Sequence, residues 1–335
     1  MKDWSAHLDS HWFIVALSRN VTSKPQRVLV FGKPAVLVRG PRGDVWAFED
    51  RCPHRGAALS TGRLDANGLV CPYHGWTFAG GGQCVAMPGG TPDGSPIANF
   101  KVPAFNVVER DGFVWLSSAS GRDLPERVLA LDPQQNRFRW QTRWRAPVLD
   151  AQENFLDALH THTVHPGLVR RSDVRRQVDV TLRVGGDGFA IEYAGQATQS
   201  GLLFRLFESP RTRECAYFSG LSVGQIEYRY ANGSAIWITL YFTPETETST
   251  HVWATLHVAG RWAPRLLVRA FVWPFLRQVA RQDQAILEEQ QWLRQYFPGR
   301  HAAVTSLDIA RPYIARAWGQ GGEILPPESR HTLYL

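Results

Sequence analysis

Cysteine is scarce: four occur in 335 residues, at Cys52, Cys71, Cys84 and Cys215. Two of them fall into a metal-ligand pattern. Too few remain for a disulfide framework, and a reducing, cytoplasmic setting is expected. A long apolar run is also missing. The greasiest stretch, Trp262 to Leu276, is interrupted by Arg265, Arg269 and Pro274. It is too short to cross a bilayer, so no transmembrane segment is expected. A basic amphipathic helix packed on the core accounts for it, with peripheral contact to a membrane surface as the other reading. Met1 to Ser5 carries no apolar signal-peptide core, so no leader is expected. No glycine triplet fits G-x-G-x-x-G, which argues against dinucleotide binding by this chain. The net charge of +7 is spread as arginines one or two at a time rather than in blocks, so no nucleic-acid partner is expected. Such a surface suits an acidic partner, for instance a small electron carrier.

What the chain does have is enough apolar material, 44% of its residues, for two cores. Residues 10 to 118 read as short strands between Gly- and Pro-rich turns, among them Phe13–Leu17, Val28–Phe31, Ala35–Val38, Val45–Phe48, Asn106–Val108 and Phe113–Leu116. A polar stretch with Pro125 and Pro133 reads as a linker. A helix is expected over about 149–162 and strands over about 175–260. A long helix follows over about 264–296, with Pro274 as a kink or break. The predicted organisation is α+β: an all-β domain over 1–120, a linker over 121–140 and a second domain over 141–335.

Two Cys/His pairs stand in the first domain. Cys52-Pro53-His54 and Cys71-Pro72-Tyr73-His74 are sixteen residues apart, counted from His54 to Cys71, and each continues to a glycine, Gly56 or Gly75. A structural zinc site would place like ligands together with two to four residues between them, and these spacings fit it poorly. They suit a Rieske-type [2Fe–2S] cluster, in which two thiolates hold one iron and two imidazoles the other. Here the chain resembles the Rieske proteins. Respiratory Rieske proteins carry two further cysteines beside the ligands. Ala57 and Tyr73 occupy those positions here, as expected of Rieske ferredoxins and ring-hydroxylating oxygenases.

A ferredoxin needs only the first third of such a chain. Further on, Asn154, Asp157 and His160 recur every three residues on the expected helix, and His165 follows before Pro166. A residue before proline leaves the α region, so His165 sits in the turn beyond. His162 lies off that face and is expected to be solvent-exposed. Asn-x-x-Asp-x-x-His-x-x-x-x-His resembles the mononuclear-iron motif of Rieske non-heme iron oxygenases. That resemblance implies several things. His160 and His165 are two legs of a two-histidine, one-carboxylate facial triad for Fe(II). Asn154 and Asp157 are catalytic, with Asp157 bridging His160 to His54 or His74 of a neighbouring subunit. The resemblance also implies a helix-grip second domain, a head-to-tail homotrimer, and O2 as co-substrate. NAD(P)H would act only through a separate flavin-dependent reductase, with or without a ferredoxin.

Asp283 is the expected third ligand. It falls on the apolar face of Val279, Ile286 and Leu287, where an unpaired carboxylate is costly. Glu153 and Glu288 are the reserve candidates. The resemblance runs closest to the vanillate and dicamba O-demethylase branch, and it makes His251 a candidate anchor for a substrate carboxylate. The expected activity is hydroxylation or oxidative demethylation of a small aromatic compound. Two alternatives are oxidation of a larger apolar ring, suggested by Trp262–Leu276 and Leu202–Phe207, and electron carriage with an inactive oxygenase domain.

Overall fold

A computed structural model describes residues 4–9, 11–96, 98–118, 135–171, 175–195, 209–260, 265–300, 302–320 and 324–335. The chain divides into two compact units. One is Met1–Leu124 with Thr243–Thr246, and the other is Pro125–Phe242 with Glu247–Leu335. Most of the expected linker, and the Leu202–Phe207 segment, lie outside the described residues.

The first unit is all β. Its strands are β1 (Phe13–Leu17), β2 (Gln26–Val30), β3 (Lys33–Arg39), β4 (Val45–Glu49), β5 (Arg63–Leu64), β6 (Leu69–Val70), β7 (Thr77–Phe78), β8 (Cys84–Ala86), β9 (Asn106–Arg110) and β10 (Phe113–Ser117). They form three antiparallel sheets, ordered β1-β10-β9, β2-β3-β4 and β5-β6-β7-β8. The strands read from the sequence are present: Phe13–Leu17 keeps its bounds, the second shifts to Gln26–Val30, and the others are one to three residues longer. β5 to β8 escape sequence reasoning because two- or three-residue strands show no alternation. Phe48, Leu59, Phe78 and Met87 form a core that also takes in Cys52 and Cys71.

The second unit carries β11 (Asn136–Trp144), α1 (Val148–Leu156), β12 (Gln177–Gly185), β13 (Gly188–Ala194), β14 (Arg211–Ser219), β15 (Val223–Tyr230), β16 (Ala235–Thr246, its last four residues grouped with the first unit), β17 (Ser249–Ala259), α2 (Trp273–Arg294), α3 (Arg311–Ala317) and β18 (Glu328–Tyr334). Its eight strands make one sheet in the order β11-β17-β16-β15-β14-β13-β12-β18. Trp273, at the start of α2, packs 5.1 Å from both the Phe138 and Trp140 rings of β11.

One helix expectation is met and another needs correction. The long helix is interrupted where Pro274 was expected to kink or break it: the regular α-helix begins at Trp273, with Pro274 in its first turn. A π-helical turn, Val268–Val272, precedes it. Pro274 has no N–H for the carbonyl four residues back, and a widened turn just upstream absorbs the mismatch. The expected helix over 149–162 is shorter. It ends at Leu156, Asp157 is extended (φ −81°, ψ 126°), and a separate 3-10 turn covers Leu159–His162. The Asp157 side chain is the reason. Its carboxylate accepts the N–H groups of Leu159 (2.8 Å) and His160 (3.1 Å), starting a new turn instead of continuing the old one.

Candidate active site

The two Cys/His pairs sit on loops with one hydrogen-bond pattern. Cys52 N–H donates to Ala57 O (2.8 Å) and Gly56 N–H to Cys52 O (2.9 Å). Cys71 N–H donates to Trp76 O (2.8 Å) and Gly75 N–H to Cys71 O (3.1 Å). Gly56 and Gly75 close these loops at φ +73° and +72°, a conformation that disfavours a side chain. Both thiols are buried and neither is in a disulfide. Burial, aided by the neighbouring Cys71, pushes the Cys52 thiol up to about 11. The His54 and His74 rings lie 4.4 Å apart, and His54 stacks on Trp76 at 4.7 Å. His54 Nδ1 is buried with no hydrogen-bond partner. Sulfur therefore neighbours sulfur, imidazole neighbours imidazole, and one ring nitrogen awaits a partner. These residues fit a [2Fe–2S] cluster with two thiolate and two imidazole ligands.

In the second unit, His160, His165 and Asp283 come together, their ligand atoms all within 4.8 Å of one another. His160 Nε2 and His165 Nε2 lie 3.3 and 3.0 Å from Asp283 Oδ1. His165 Nε2 and Asp283 Oδ1 are nonetheless buried atoms without a hydrogen bond of proper geometry. Each histidine is oriented from behind. His165 Nδ1 is 3.0 Å from Gln282 Oε1, and His160 Nδ1 is 3.4 Å from Asp157 Oδ2. An amide oxygen and a carboxylate only accept, so Nδ1 carries the proton in both rings and Nε2 is turned to Asp283 Oδ1. Burial disfavours a charged His160, yet Asp157 and Asp283 outweigh it and raise its pKa to about 9. Burial likewise opposes ionisation of Asp283, and the two histidines still hold its pKa below the usual carboxylate value. The site favours a cation between these groups, be it a proton or a metal ion. Two imidazoles and one carboxylate form the donor set of a facial-triad ferrous site, and these residues fit one.

Residues 11–105 match the Rieske [2Fe-2S] domain, and residues 144–315, about half the chain, match the vanillate O-demethylase oxygenase C-terminal domain. The chain belongs to the Rieske non-heme iron oxygenase family. Among curated relatives, the oxygenase component of dicamba O-demethylase from Stenotrophomonas maltophilia is 45% identical over 159 residues, covering 46% of each chain. The 3-chlorobenzoate-3,4-dioxygenase oxygenase subunit from Comamonas testosteroni is 33% identical over 157 residues, covering 45% of this chain and 35% of that one. In these alignments the chain spans between a third and a half of the curated relatives' length. The crystal structure of dicamba monooxygenase bound to 3,6-dichlorosalicylic acid superimposes with a TM-score of 0.79 at 25% identity, over 93% of this chain and 96% of that one. The all-β first domain, the antiparallel sheet and the long C-terminal helix are those of this family.

For this family member the structure also places the remaining candidates. Asn154, at the end of α1, has a buried Oδ1 with no partner and lines a small cavity, about 110 Å³, together with His160, Asp283, Phe155 and Tyr228. His162 is not exposed: it is 1% accessible, its Nδ1 donating to Arg171 O at 2.8 Å. The 3-10 turn rotates it inward, where a continued α-helix would have turned it out. Ile286, counted on the apolar face, is 40% exposed, whereas Leu287 is buried. Glu153 pairs with Arg311, and Glu288 accepts from Arg145 N–H and Gln284, so neither reaches the histidines. His251 is buried, stacked on Trp253 at 3.8 Å, with Nε2 donating to Gln141 Oε1. Gln282 was not singled out as a site residue. Its partner His165 lies 117 positions away, and no local pattern marks that pairing.

Proposed function

We propose that this chain is the terminal oxygenase of a Rieske monooxygenase system acting on a small aromatic substrate by hydroxylation or oxidative demethylation. Cys52, His54, Cys71 and His74 hold the [2Fe–2S] cluster, and His160, His165 and Asp283 hold Fe(II). The observation that carries this reading is the convergence of His160 Nε2, His165 Nε2 and Asp283 Oδ1, all within 4.8 Å of one another. Iron bound there would supply O2 activation, with electrons relayed from the cluster. In a demethylation, one oxygen atom enters a methyl C–H bond of the substrate and formaldehyde leaves. The second oxygen atom departs as water, with two electrons and two protons drawn from outside. The chain has no nicotinamide motif, so the electrons come from a partner reductase oxidising NAD(P)H, directly or through a ferredoxin.

This chain's own residues position and shield. Asp157 and Gln282 fix the two histidine tautomers. Asn154, Phe155 and Tyr228 wall the cavity beside the triad and limit water. His251 is our candidate anchor for a polar substituent of the substrate, its ring held by Gln141 and Trp253. The likeness to a 3-chlorobenzoate dioxygenase subunit and to dicamba monooxygenase bound to 3,6-dichlorosalicylic acid favours an aromatic substrate over a sterol or terpenoid. We propose that the protein works in the cytoplasm as a homotrimer, with Asp157 at the seam between subunits.

Purified anaerobically, the protein is expected to hold about three irons per chain, and Asp283→Ala about two, with the cluster's visible spectrum unchanged. With a reductase, NADH and a panel of methoxyarenes, the wild type is expected to release formaldehyde and the variant none. An Asp283→Ala protein with full iron and full turnover would refute the assignment.

A further inference from the structure

The two histidine-bearing turns follow one another in the chain, and one buried residue, Arg170, ties them together through its side chain and its backbone. α1 ends at Leu156, and its last carbonyls have no helical partner. Tyr193 OH donates to Leu156 O at 3.3 Å. Arg170 Nη1 donates to Ala158 O at 3.0 Å and to Thr161 Oγ1 at 3.3 Å, bracketing His160. The backbone of Arg170 serves the second turn. Gly167 N–H donates to Arg170 O at 2.8 Å, and Pro166 and Arg170 form a β-bridge, closing the turn that begins at His165. Arg170 is only 3% exposed and pairs with Glu214 at 3.6 Å. Glu214 in turn accepts from Arg211 at 3.0 Å, whose guanidinium lies 4.0 Å over the Tyr228 ring. The chain of contacts runs from strands β14 and β15 to the backbone that carries both histidines.

We propose that Arg170, held by Glu214, is a positioning residue that sets the spacing of His160 and His165 for metal binding. The inference rests on the reading of His160, His165 and Asp283 as an iron site. Lysine at this position keeps the charge, but it lacks the planar fork whose Nη1 reaches Ala158 and Thr161 while Nη2 faces Glu214.

The test uses the full chain with its cluster loaded, titrated anaerobically with Co(II) and followed by the visible d–d spectrum. Four proteins are compared with wild type: Arg170→Met, Arg170→Lys, Glu214→Gln, and Asp283→Ala as the site control. Arg170→Met is expected to weaken Co(II) binding about 10–100-fold and to alter the d–d bands, with cluster absorbance intact. Arg170→Lys should recover part of both. Glu214→Gln should lose less than Arg170→Met, because the two hydrogen bonds survive. Co(II) binding and bands in Arg170→Met equal to wild type would overturn the proposal. So would a loss in Arg170→Met that brings down the cluster as well and is not eased by lysine, since that marks a general packing role. If wild type takes up no Co(II) that Asp283→Ala fails to take up, the iron-site reading falls first and this inference with it.

Discussion

At the scale of single residues, the cluster loops depend on two glycines in the left-handed region. The two are not equivalent. A methyl group at Gly75 would meet Pro88 Cγ at 3.2 Å, whereas at Gly56 it would meet only the flexible Arg51 side chain at 3.4 Å. Backbone strain of about 1–2 kcal/mol applies to both, and steric pressure adds to it at Gly75 alone. Gly75→Ala is therefore expected to lose cluster absorbance faster on warming than Gly56→Ala. Equal loss rates would show that the Pro88 contact yields without cost. The proposed cysteine and histidine ligands were legible from their spacing. The contacts of Gln282 with His165 and of Arg170 with the turn that bears His160 were not, because they depend on which side chains the fold brings within reach.

At the scale of elements, α1 leads into the turns that bear the two histidines and is pinned by arginines of α2 and α3. Asp150 is buried on α1 and accepts from Arg294 of α2 and Arg311 of α3, the latter at 2.7 Å. Arg311 also reaches Glu153 at 2.9 Å. Both arginines are partly exposed, so water discounts the full cost of breaking a buried pair. Asp150→Ala is expected to destabilise the second unit by about 2 kcal/mol, read as a lower thermal midpoint in its far-ultraviolet signal, with the cluster absorbance unmoved. Helix existence and the long C-terminal helix followed from periodicity. The break at Leu156 did not, because one carboxylate capping the next turn competes with helix continuation and leaves no trace in an apolar pattern.

At the scale of the whole molecule, the net charge of +7 and the cluster loops together concern how electrons arrive. A basic oxygenase fed by an acidic carrier should show a rate of cluster reduction that falls steeply with added salt, by roughly tenfold or more between low and physiological ionic strength. A salt-independent rate would point to a neutral docking surface. Among the described residues no helix is long and apolar enough to cross a membrane. The proposed trimer is expected to elute with three times the 37.7 kDa chain mass in light-scattering chromatography. A monomeric mass would remove the intersubunit role of Asp157.

Residue chemistry at fixed spacing determined much by itself. Cys-x-His with Cys-x-x-His, and Asn-x-x-Asp-x-x-His-x-x-x-x-His, each join residues close in the chain, so local order alone places their donors near one another. Asp283 was reachable too, because a carboxylate on an apolar helix face demands a partner. Its pairing with the two histidines more than a hundred positions earlier was expected from the resemblance, and only the tertiary structure decided that His162 turns inward and that Gln282 and Arg170 stand behind the histidines. Such contacts arise from packing between distant segments, and that packing depends on every side chain around them rather than on any local pattern.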